Sequence, residues 1–300
     1  METSTVLVAG ATGLLGTEIC RQLRAKNIPV RALVRNTTDA VKIEKLTKLG
    51  VQIAPGDLQD KETLSRWLQE VKTVISTISS IPSSYLPGEN DVKKVDLEGI
   101  KNLIDCAKNG KVQRFIYTSF SRKIDFDFPL RNAKRSVEQH LQNSGIDYTI
   151  LRPSFFMELW LSAATGFDAL NGKVNICGTG TTPVAYISYK DVAKFAVESI
   201  SNPHSKNAIL ELGGPQNISQ LDAVKIFEEV LRRKIEVNHI TVDVLESQFN
   251  SNADAMQKSF TGLMLCVANG DPINMKDLLK TFPVKLTSVR EFARGVVPAS

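Results

Sequence analysis

The chain has 300 residues, of which 42% are hydrophobic and 23% charged, a composition typical of a globular protein with one large domain or two closely coupled ones. Its formal net charge of +5 is spread along the sequence, and the short basic clusters lack interleaved aromatic residues, which argues against a nucleic-acid-binding protein. No apolar stretch approaches the roughly 20 residues that a membrane-spanning helix needs, so no membrane span is predicted.

The four cysteines are far apart and show no CxxC or Cys/His spacing, so the sequence predicts no metal site. Cysteines in apolar surroundings are typical of reduced thiols in a reducing compartment. The first apolar run, TVLVA, begins almost at the N-terminus and leaves no room for a signal peptide. We therefore expect a cytoplasmic protein, unless a transit peptide precedes this sequence.

The first half of the chain alternates short β-branched runs with amphipathic stretches. Each run is continuous and apolar, as expected of a strand that is buried on both faces. The predicted strands cover residues 5–9, 29–34, 51–54, 73–77, 114–119 and 148–152. The predicted helices cover residues 14–26, 38–48, 60–70, 90–109 and 130–143. Strand–helix units without a hairpin signal predict an α/β fold with a doubly wound parallel Rossmann sheet.

Beyond the sixth strand the pattern loosens, but capping boxes mark two further helices. A helix over about 190–201 opens with Ser188 and Asp191, and a later helix opens with Ser219 and Asp222. The run AILEL between them is typical of a strand. These elements predict a smaller region that packs on the ligand edge of the sheet.

The pattern predicts two domains with an interrupted boundary. The Rossmann domain covers residues 1–155, and residues 183–205 are expected to return to it. A smaller C-terminal substrate or partner region covers residues 156–182 and 206–300. Within it, residues 241–300 show only amphipathic stretches, which indicate no particular role.

The stretch VLVAGATGLLG places Gly10, Gly13 and Gly16 directly after the first strand and at the head of the first helix. Glycine permits the tight turn, the approach of the backbone to a pyrophosphate and the close packing of helix on strand. The helix N-terminus adds free N–H groups and the positive end of its dipole. In this context the glycines predict a dinucleotide-binding loop, with an ordinary turn as the alternative.

The second strand ends in RALVRN, without the Asp or Glu that NAD-binding folds place on the ribose hydroxyls. Arg35 stands there instead, and a guanidinium can bind a 2′-phosphate in bidentate fashion. Thr37 and Thr38 can add hydroxyl contacts or cap the next helix. The strand end therefore predicts NADP(H) rather than NAD(H), with a surface role for Arg35 as the alternative.

After the third strand, PGDL places Asp57 and Leu58 where the adenine of a dinucleotide would lie. The carboxylate can accept a hydrogen bond from the exocyclic amine, and Leu58 can cover the ring. Asp57 can also cap the helix that begins near Asp60. Both residues are therefore predicted cofactor contacts, with capping as the alternative for Asp57.

A family resemblance is carried by the segments GATGLLG, ALVRN, GDL, DLEGIKNLIDCAK, RFIYTS, AKRSVEQHLQNSGIDYTILRPSFFME and VAYISYKDVAKF. Over about residues 4–230 the chain resembles the NmrA-like, or atypical, short-chain dehydrogenases. That family includes NADPH-dependent reductases of quinones, dyes and phenylpropanoids. It also includes NADP-sensing co-regulators and photosystem assembly factors that are not established as enzymes. The resemblance implies a Rossmann fold and an NADP(H) cofactor.

The resemblance also implies cofactor contacts at particular positions along the strand ends. These positions are Gly10, Thr12, Gly13, Leu15, Gly16, Arg35, Asp57, Leu58, Thr77, Ile78, Ser79, Lys134, Pro153, Ser154, Phe155 and Phe156. The last four would lie beside the nicotinamide, at the carboxyl ends of the strands.

The usual short-chain dehydrogenase uses a Tyr as general acid, a Lys four residues later that lowers its pKa, and a Ser that fixes the carbonyl. Here Leu130 replaces the Tyr and Phe120 stands where the Ser is expected, whereas Lys134 remains. The resemblance implies that Lys134 is catalytic, binding the nicotinamide ribose and donating a proton to the substrate. The alternative is an ordinary lysine on a solvated helix face.

The side chains expected at the mouth of the site are aromatic or apolar: Phe120, Phe155, Phe156, Met157 and Trp160. They suit a planar, hydrophobic substrate, although FFMELWL at helical spacing is also typical of a core. We therefore predict an NADPH-dependent oxidoreductase that transfers hydride to a quinone-like or enone-like small molecule. The alternative is a non-catalytic NADP(H)-sensing regulator or assembly factor that acts through a protein partner.

Overall fold

The computed structural model describes residues 4–81 and 84–296. Within them, ten strands are found: β1 (Thr5–Ala9), β2 (Val30–Val34), β3 (Gln52–Pro55), β4 (Val71–Ser76), β5 (Arg114–Thr118), β6 (Asp147–Pro153), β7 (Phe167–Asp168), β8 (Lys173–Cys177), β9 (Ala208–Leu212) and β10 (Glu236–Ile240). Seven of them form one sheet in the order β3-β2-β1-β4-β5-β6-β9, and the other three form a small sheet in the order β10-β8-β7.

Helices connect the strands of the large sheet and make up most of the C-terminal part. They are α1 (Leu14–Ala25), α2 (Ala40–Lys48), α3 (Lys61–Trp67), α4 (Ile100–Asn109), α5 (Pro129–Gln142), α6 (Met157–Trp160), α7 (Tyr189–Glu198), α8 (Gln220–Leu231), α9 (Val242–Ser251), α10 (Ala255–Asn269), α11 (Leu278–Thr281) and α12 (Val289–Val296). Short 3₁₀ turns cover Ala163–Thr165, Ala169–Asn171 and Pro203–Ser205. None of the helices in the described part of the chain is long and apolar enough to cross a membrane. The cytoplasmic localisation stays a prediction.

The large sheet confirms the predicted doubly wound Rossmann fold. Strands β1 to β6 pair in parallel in the order typical of dinucleotide-binding folds, and β9 extends the sheet beyond β6. The apolar runs of these strands suit a central position in the sheet, because Val6–Ala9 and most of β4 and β5 are buried. Strands buried on both faces are typical of parallel sheets covered by helices.

The described chain divides into two compact units. The first comprises residues 4–119, 132–151 and 192–210, and the second comprises residues 120–131, 152–191 and 211–296. The segment that returns to the first unit is thus 192–210, where the sequence suggested 183–205. Residues 120–131 belong to the second unit, although the sequence placed them in the Rossmann domain.

The core of the first unit is built from strands and from the helices that follow them. Leu7 of β1, Val74 of β4 and Phe115 of β5 form one buried cluster with residues of α3, α4 and α5. The predicted apolar stripe of α5 contributes Val137 and Leu141, both fully buried. Burying side chains of this size stabilises the fold by roughly 1.5–3 kcal/mol each.

The helix predicted at 90–109 has two parts. Val92–Gly99 is a π-helical segment, and α4 continues from it. The side chain of Asp91 opens the segment by accepting from the backbone N–H of Lys94. π-Helical insertions in α-helices are rare and often occur at functional sites.

The small sheet of the second unit was not predicted. Strand β10 lies parallel to β8, and β7 is only two residues long. The residues of β10 are all exposed or half-buried, so they form no continuous apolar run in the sequence. Farther along, the capping box predicted for Ser219 and Asp222 opens α8 as expected.

Candidate functional site

The carboxyl ends of the central strands lie side by side because their register aligns the last residues. Ala9 pairs with Leu33 of β2 and with Ser76 of β4, and Ser76 pairs with Tyr117 of β5. The residues that follow these strands therefore meet at one edge of the sheet. There, the backbone N–H of Thr77 donates to the Ala9 carbonyl at 2.9 Å. Ligands of doubly wound sheets bind at this edge.

The glycine loop between β1 and α1 is a tight turn packed against its own helix. Gly10 has a φ of +84°, a left-handed conformation that favours glycine. A Cβ at Gly16 would lie 2.2 Å from the Gly10 carbonyl oxygen, so α1 packs directly on the turn. Gly13 is the N-cap of α1 and has no side chain with which to cap the helix.

The N-terminus of α1 differs from those of several other helices. Carboxylates cap α2, α3 and α10, where Asp39, Asp60 and Asp254 accept hydrogen bonds from N–H groups of the first turn. Among the described residues, no side chain caps α1 in this way. The first N–H groups of α1 and its dipole are therefore open to an anion, and the loop can hold a pyrophosphate.

The other predicted contacts of the loop differ in exposure. Thr12 is half-buried, whereas the Leu15 side chain is buried. Leu14 is 65% exposed, so it, and not Leu15, presents its side chain at the head of α1. Leu15 can thus offer a ligand only its backbone N–H. Sequence reasoning missed the exposed Leu14 beside it.

Gly16→Ala is expected to destabilise the chain, because the new methyl group overlaps the Gly10 carbonyl oxygen and α1 must move away from β1. Overpacking of this kind costs roughly 1–3 kcal/mol. Gly295→Ala is the matched control, since Gly295 is also helical and a Cβ there would meet no atom within 4 Å. Thermal unfolding followed by circular dichroism compares the two variants. Equal midpoints would contradict the close packing of α1 on the turn.

Arg35 follows β2 and is half-buried. Its Nη1 donates a hydrogen bond to Oδ1 of Asn90 at 2.6 Å, so the guanidinium is held at the strand end. Asp39 caps α2, so the capping role considered for Thr37 and Thr38 is wrong. A fixed guanidinium at this position can bind a 2′-phosphate.

Asp57 and Leu58 follow β3 and differ in exposure. Asp57 is exposed, and its Oδ1 accepts from the backbone N–H of Gln59 at 2.8 Å. Asp60 caps α3, so the capping alternative for Asp57 is wrong. Leu58 is buried against the π-helical segment, where a Cβ at Gly99 would lie 2.8 Å from the Leu58 Cβ. The contacts with adenine stay a prediction.

The segment after β4 begins at the glycine loop and ends at a buried carboxylate. Thr77, Ile78 and Ser79 are half-buried, and Oγ1 of Thr77 donates to the Gly10 carbonyl at 3.3 Å. The next residue, Ser80, is buried. Its N–H and Oγ–H both donate to Oδ2 of Asp96, at 3.0 and 2.5 Å. The π-helical segment therefore fixes the end of this predicted cofactor-binding segment.

Lys134 lies inside the first unit and is 3% exposed, so the solvated-face alternative is wrong. Its Nζ donates to the Thr118 carbonyl at 3.3 Å and lies 5.5 Å from the centre of the Tyr117 ring. A buried ammonium is costly unless such partners surround it. At the position of the missing tyrosine, Leu130 is 2% exposed, and its N–H donates to Oγ of Ser259.

Charged neighbours act on Lys134 from two elements. Burial lowers the pKa of Lys134, whereas the carboxylates of Asp96 and Glu138 raise it and Arg135 lowers it. Burial raises the pKa of Asp96, and the charge of Lys134 opposes this shift. Glu138 also pairs with Arg135 at 2.8 Å. Lys134 therefore releases a proton more readily than an exposed lysine, as a proton donor requires.

Sequence reasoning missed two groups that surround Lys134. Asp96 lies on the apolar stripe that continues through Ile100 and Leu103, and a carboxylate on such a stripe was a readable signal. Tyr117 belongs to an ordinary apolar strand and gave no signal. Burial raises its pKa well above the ordinary value, so it stays protonated beneath the ammonium.

The remaining predicted residues belong to the second unit and differ in burial. Phe155 and Met157 are 2% and 0% exposed and pack in its core. Pro153 and Ser154 are also buried, whereas Phe120, Phe156 and Trp160 are half-buried. These three half-buried side chains keep exposed aromatic surface, and their predicted contacts with a substrate or cofactor stay predictions.

The second unit has an aromatic cluster around Trp160. Its ring meets Phe155 edge-on at 4.9 Å and stacks on Phe260 at 6.0 Å, with 13° between the planes. Phe260 comes from α10, in the part of the sequence that indicated no role. The cluster offers flat apolar faces, which suit a planar ligand.

A buried carboxylate holds the segment that follows Phe120. Asp271 is fully buried, and Oγ of Ser121 donates to its Oδ1 at 2.6 Å. Burial raises the pKa of Asp271, and the hydrogen bond from Ser121 opposes this. Ser121 follows Phe120, so Asp271 fixes the segment that carries Phe120 within the second unit.

The cysteines are free and buried. Burial raises the pKa of Cys20 to about 12 and that of Cys177 and Cys266 to about 11, so these thiols are poor nucleophiles. Within residues 4–81 and 84–296, no group of three or more His, Cys, Asp or Glu side chains is arranged to hold a metal ion.

Several known proteins are similar to this chain in sequence. The model of the NmrA-like family matches residues 2–293. The photosystem II assembly factor Ycf39 of Trieres chinensis is 30% identical over 287 residues, which cover 93% of this chain and 88% of that protein. A probable pinoresinol-lariciresinol reductase of Arabidopsis thaliana is 29% identical over 252 residues, which cover 81% of this chain and 78% of that protein.

Among solved structures, an NADPH-dependent quinone oxidoreductase from Escherichia coli, complexed with NADPH, superposes with a TM-score of 0.78. It is 21% identical and covers 97% of this chain and 99% of its own, a likeness that shows the shared fold. The family model spans nearly the whole sequence, and the glycine loop, Arg35 and Lys134 lie within the match. The chain belongs to the NmrA-like family.

Proposed function

We propose that the chain is an NADP(H)-dependent reductase that transfers hydride to a hydrophobic, quinone-like or enone-like small molecule. The observation that carries the proposal is Lys134, a buried lysine with a lowered pKa beside the carboxyl end of β5. The reductases among its relatives and fold neighbours support the same activity. The relatives alone do not decide the activity, because a photosystem II assembly factor is also among them.

Each part of the dinucleotide has candidate partners in the first unit. The uncapped N-terminus of α1 would hold the pyrophosphate, since its N–H groups and dipole favour an anion. Arg35 would bind the 2′-phosphate. Thr77 to Ser79, at the end of β4, would line the cofactor, and Lys134 would bind the nicotinamide ribose.

NADPH supplies a hydride when it is bound. A carbonyl or quinone that gains a hydride develops negative charge on oxygen, and it becomes the alcohol or hydroquinone by gaining a proton. Nζ of Lys134 would donate that proton, because burial weakens its hold on it. The carboxylates of Asp96 and Glu138 oppose complete deprotonation, so the ammonium keeps a proton to give.

The aromatic side chains predicted to contact the acceptor belong to the second unit. The half-buried side chains of Phe120, Phe156 and Trp160, together with Phe260 stacked on Trp160, present apolar and aromatic surface. Stacking on such rings favours planar, conjugated acceptors. The reduced forms of these acceptors are stabilised by conjugation, so Lys134 would suffice as the proton donor in a site that lacks the usual tyrosine.

Arg35→Ala is expected to weaken NADPH binding by roughly 10- to 100-fold, because a charged hydrogen-bonding group is lost from the 2′-phosphate. The affinity for NADH, which lacks that phosphate, should stay within about twofold of the wild-type value. Calorimetric titration of both proteins with both cofactors measures the effect. Equal losses for NADPH and NADH, or no loss for either, would contradict the role of Arg35.

A second candidate function is a non-catalytic NADP(H)-sensing assembly factor. It is favoured by Leu130, which fills the tyrosine position and is buried, and by the identity with an assembly factor over most of the chain. Such a protein would bind NADPH and NADP⁺ with different affinities. It would not oxidise NADPH in the presence of any acceptor. A panel of quinones, enones and azo dyes with NADPH separates the two functions.

A further inference from the structure

The guanidinium of Arg35 is held by a residue far away in the sequence. Nη1 of Arg35 donates to Oδ1 of Asn90 at 2.6 Å, across a separation of 55 residues. Both side chains are half-buried. An arginine side chain has many rotamers, and fixing one of them before a ligand arrives removes much of the entropy cost of binding.

Asn90 is itself fixed in one orientation. A guanidinium only donates hydrogen bonds, so the amide must present its oxygen to Arg35 and its nitrogen to the other side. On that side, Nδ2 of Asn90 donates to the Ser84 carbonyl. It also donates to Oγ of Ser84, and this second bond is 3.1 Å long. The backbone of Asn90 also exchanges hydrogen bonds with Leu86, at 2.8 and 3.1 Å. The amide oxygen is therefore held toward Arg35.

The support of Asn90 continues into the buried part of the first unit. The N–H and Oγ–H of Ser84 both donate to the Ser80 carbonyl, at 3.1 and 3.2 Å. Ser80 is bound in turn by the carboxylate of Asp96, which is fully buried. A chain of hydrogen bonds thus runs from Arg35 to the π-helical segment, which gives the arginine a rigid anchor.

We propose that Asn90 determines the preference for NADP(H) over NAD(H) by orienting Arg35 toward the 2′-phosphate. An amide suits this task because it occupies one donor and leaves the positive charge intact, together with the other N–H donors of the guanidinium. A carboxylate in its place would neutralise the charge that the phosphate needs. This inference rests on the proposed role of Arg35 in binding the cofactor.

The test compares affinities for NADPH and NADH, measured by calorimetric titration of wild type, Asn90→Ala, Arg35→Ala and the double variant. Asn90→Ala should weaken NADPH binding by roughly 3- to 10-fold, the effect of one hydrogen bond, and leave NADH binding unchanged. In the Arg35→Ala background, removing Asn90 should have no further effect, because its partner is absent. Unchanged NADH binding also shows that Asn90→Ala is folded.

Two further variants sharpen the test. Gln52→Ala is the matched control, since Oε1 of Gln52 accepts from Nε of Arg31 at 3.0 Å, a bond of the same type in the same unit. Its NADPH to NADH ratio should equal that of wild type. Asn90→Asp keeps the acceptor oxygen but adds a negative charge, so it should also lower NADPH affinity.

The inference would be overturned if Asn90→Ala had the wild-type ratio of NADPH to NADH affinity, or if it bound NADPH more tightly than wild type. Tighter binding would mean that Asn90 holds Arg35 away from the phosphate. These outcomes differ from a failure of the proposed function, in which wild type itself would bind NADPH no better than NADH. The wild-type titration therefore tests the cofactor, and the variant ratio tests Asn90.

Discussion

Lys134→Met is expected to slow NADPH-dependent reduction by about 10²- to 10⁴-fold, the usual contribution of a placed proton donor. Methionine has a similar length and fills the space beside Tyr117, so the change removes the ammonium without leaving a large cavity. NADPH binding should fall by no more than about tenfold, the effect of one lost hydrogen bond to the ribose. Steady-state rates with a quinone acceptor, together with calorimetric titration, measure both effects.

The control for this prediction is Lys108→Met, which removes an exposed lysine from the last turn of α4. It should leave the rate and the affinity as in wild type. A Lys134→Met variant that turns over at the wild-type rate would show that Lys134 has no part in proton transfer. A Lys134→Met variant that binds neither NADPH nor NADH would indicate a folding defect, which urea unfolding of the variant would detect.

The second large effect is on stability. Removing one partner of a buried pair leaves the other charge uncompensated, so Lys134→Met should destabilise the chain by about 3–5 kcal/mol. Adding Asp96→Asn to that variant removes the stranded charge and should restore most of the lost stability. Urea unfolding at neutral pH, followed by circular dichroism, compares wild type with both single variants and the double variant. Additive losses would contradict the coupling of Lys134 and Asp96.

The pH dependence of stability gives an independent check on this pair. The pKa of Asp96 is raised above 3.8, so stability falls as pH rises from that value through its folded-state pKa. The pKa of Lys134 is lowered below 10.5, so stability rises with pH between its folded-state pKa and 10.5. At neutral pH both groups therefore reduce stability. The stability of wild type relative to the double variant, which lacks Lys134, should therefore rise as pH rises toward 10.5.

A pair that costs stability is expected at a functional site rather than in a core. Apolar residues would fill the positions of Lys134 and Asp96 at lower cost. The chain instead keeps both charges beside the strand ends where such folds bind ligands. This argument favours the reductase over the assembly factor, because binding of a cofactor alone does not require a lysine with a lowered pKa.

The sequence predicted the large sheet well because local signals determine it. Each buried strand is a continuous apolar run, and Gly10, Gly13 and Gly16 follow the first of them. Parallel strands place their carboxyl ends at one edge of the sheet. The positions of the strands and of the glycines in the sequence therefore indicated where a cofactor would lie. Arg35 at the end of β2 was readable for the same reason.

Contacts between distant residues were not readable in the same way. The bond from Arg35 to Asn90 joins residues 55 positions apart, and the sequence marked Asn90 only as the start of a predicted helix. Asp96 was readable in principle, because a carboxylate interrupts an apolar stripe, but nothing local indicated that it accepts from Ser80 or that its pKa depends on the charge of Lys134. In the second unit, β10 is too exposed to show the pattern of a strand.

NADPH oxidation by the wild-type chain in the presence of quinone, enone and azo acceptors, with Lys134→Met beside it, tests the central claim most directly. The account predicts turnover with at least one planar acceptor and its loss in the variant, while both proteins still bind NADPH. Tight NADPH binding without oxidation by any acceptor, in wild type as in the variant, would contradict the reductase and favour the sensing factor.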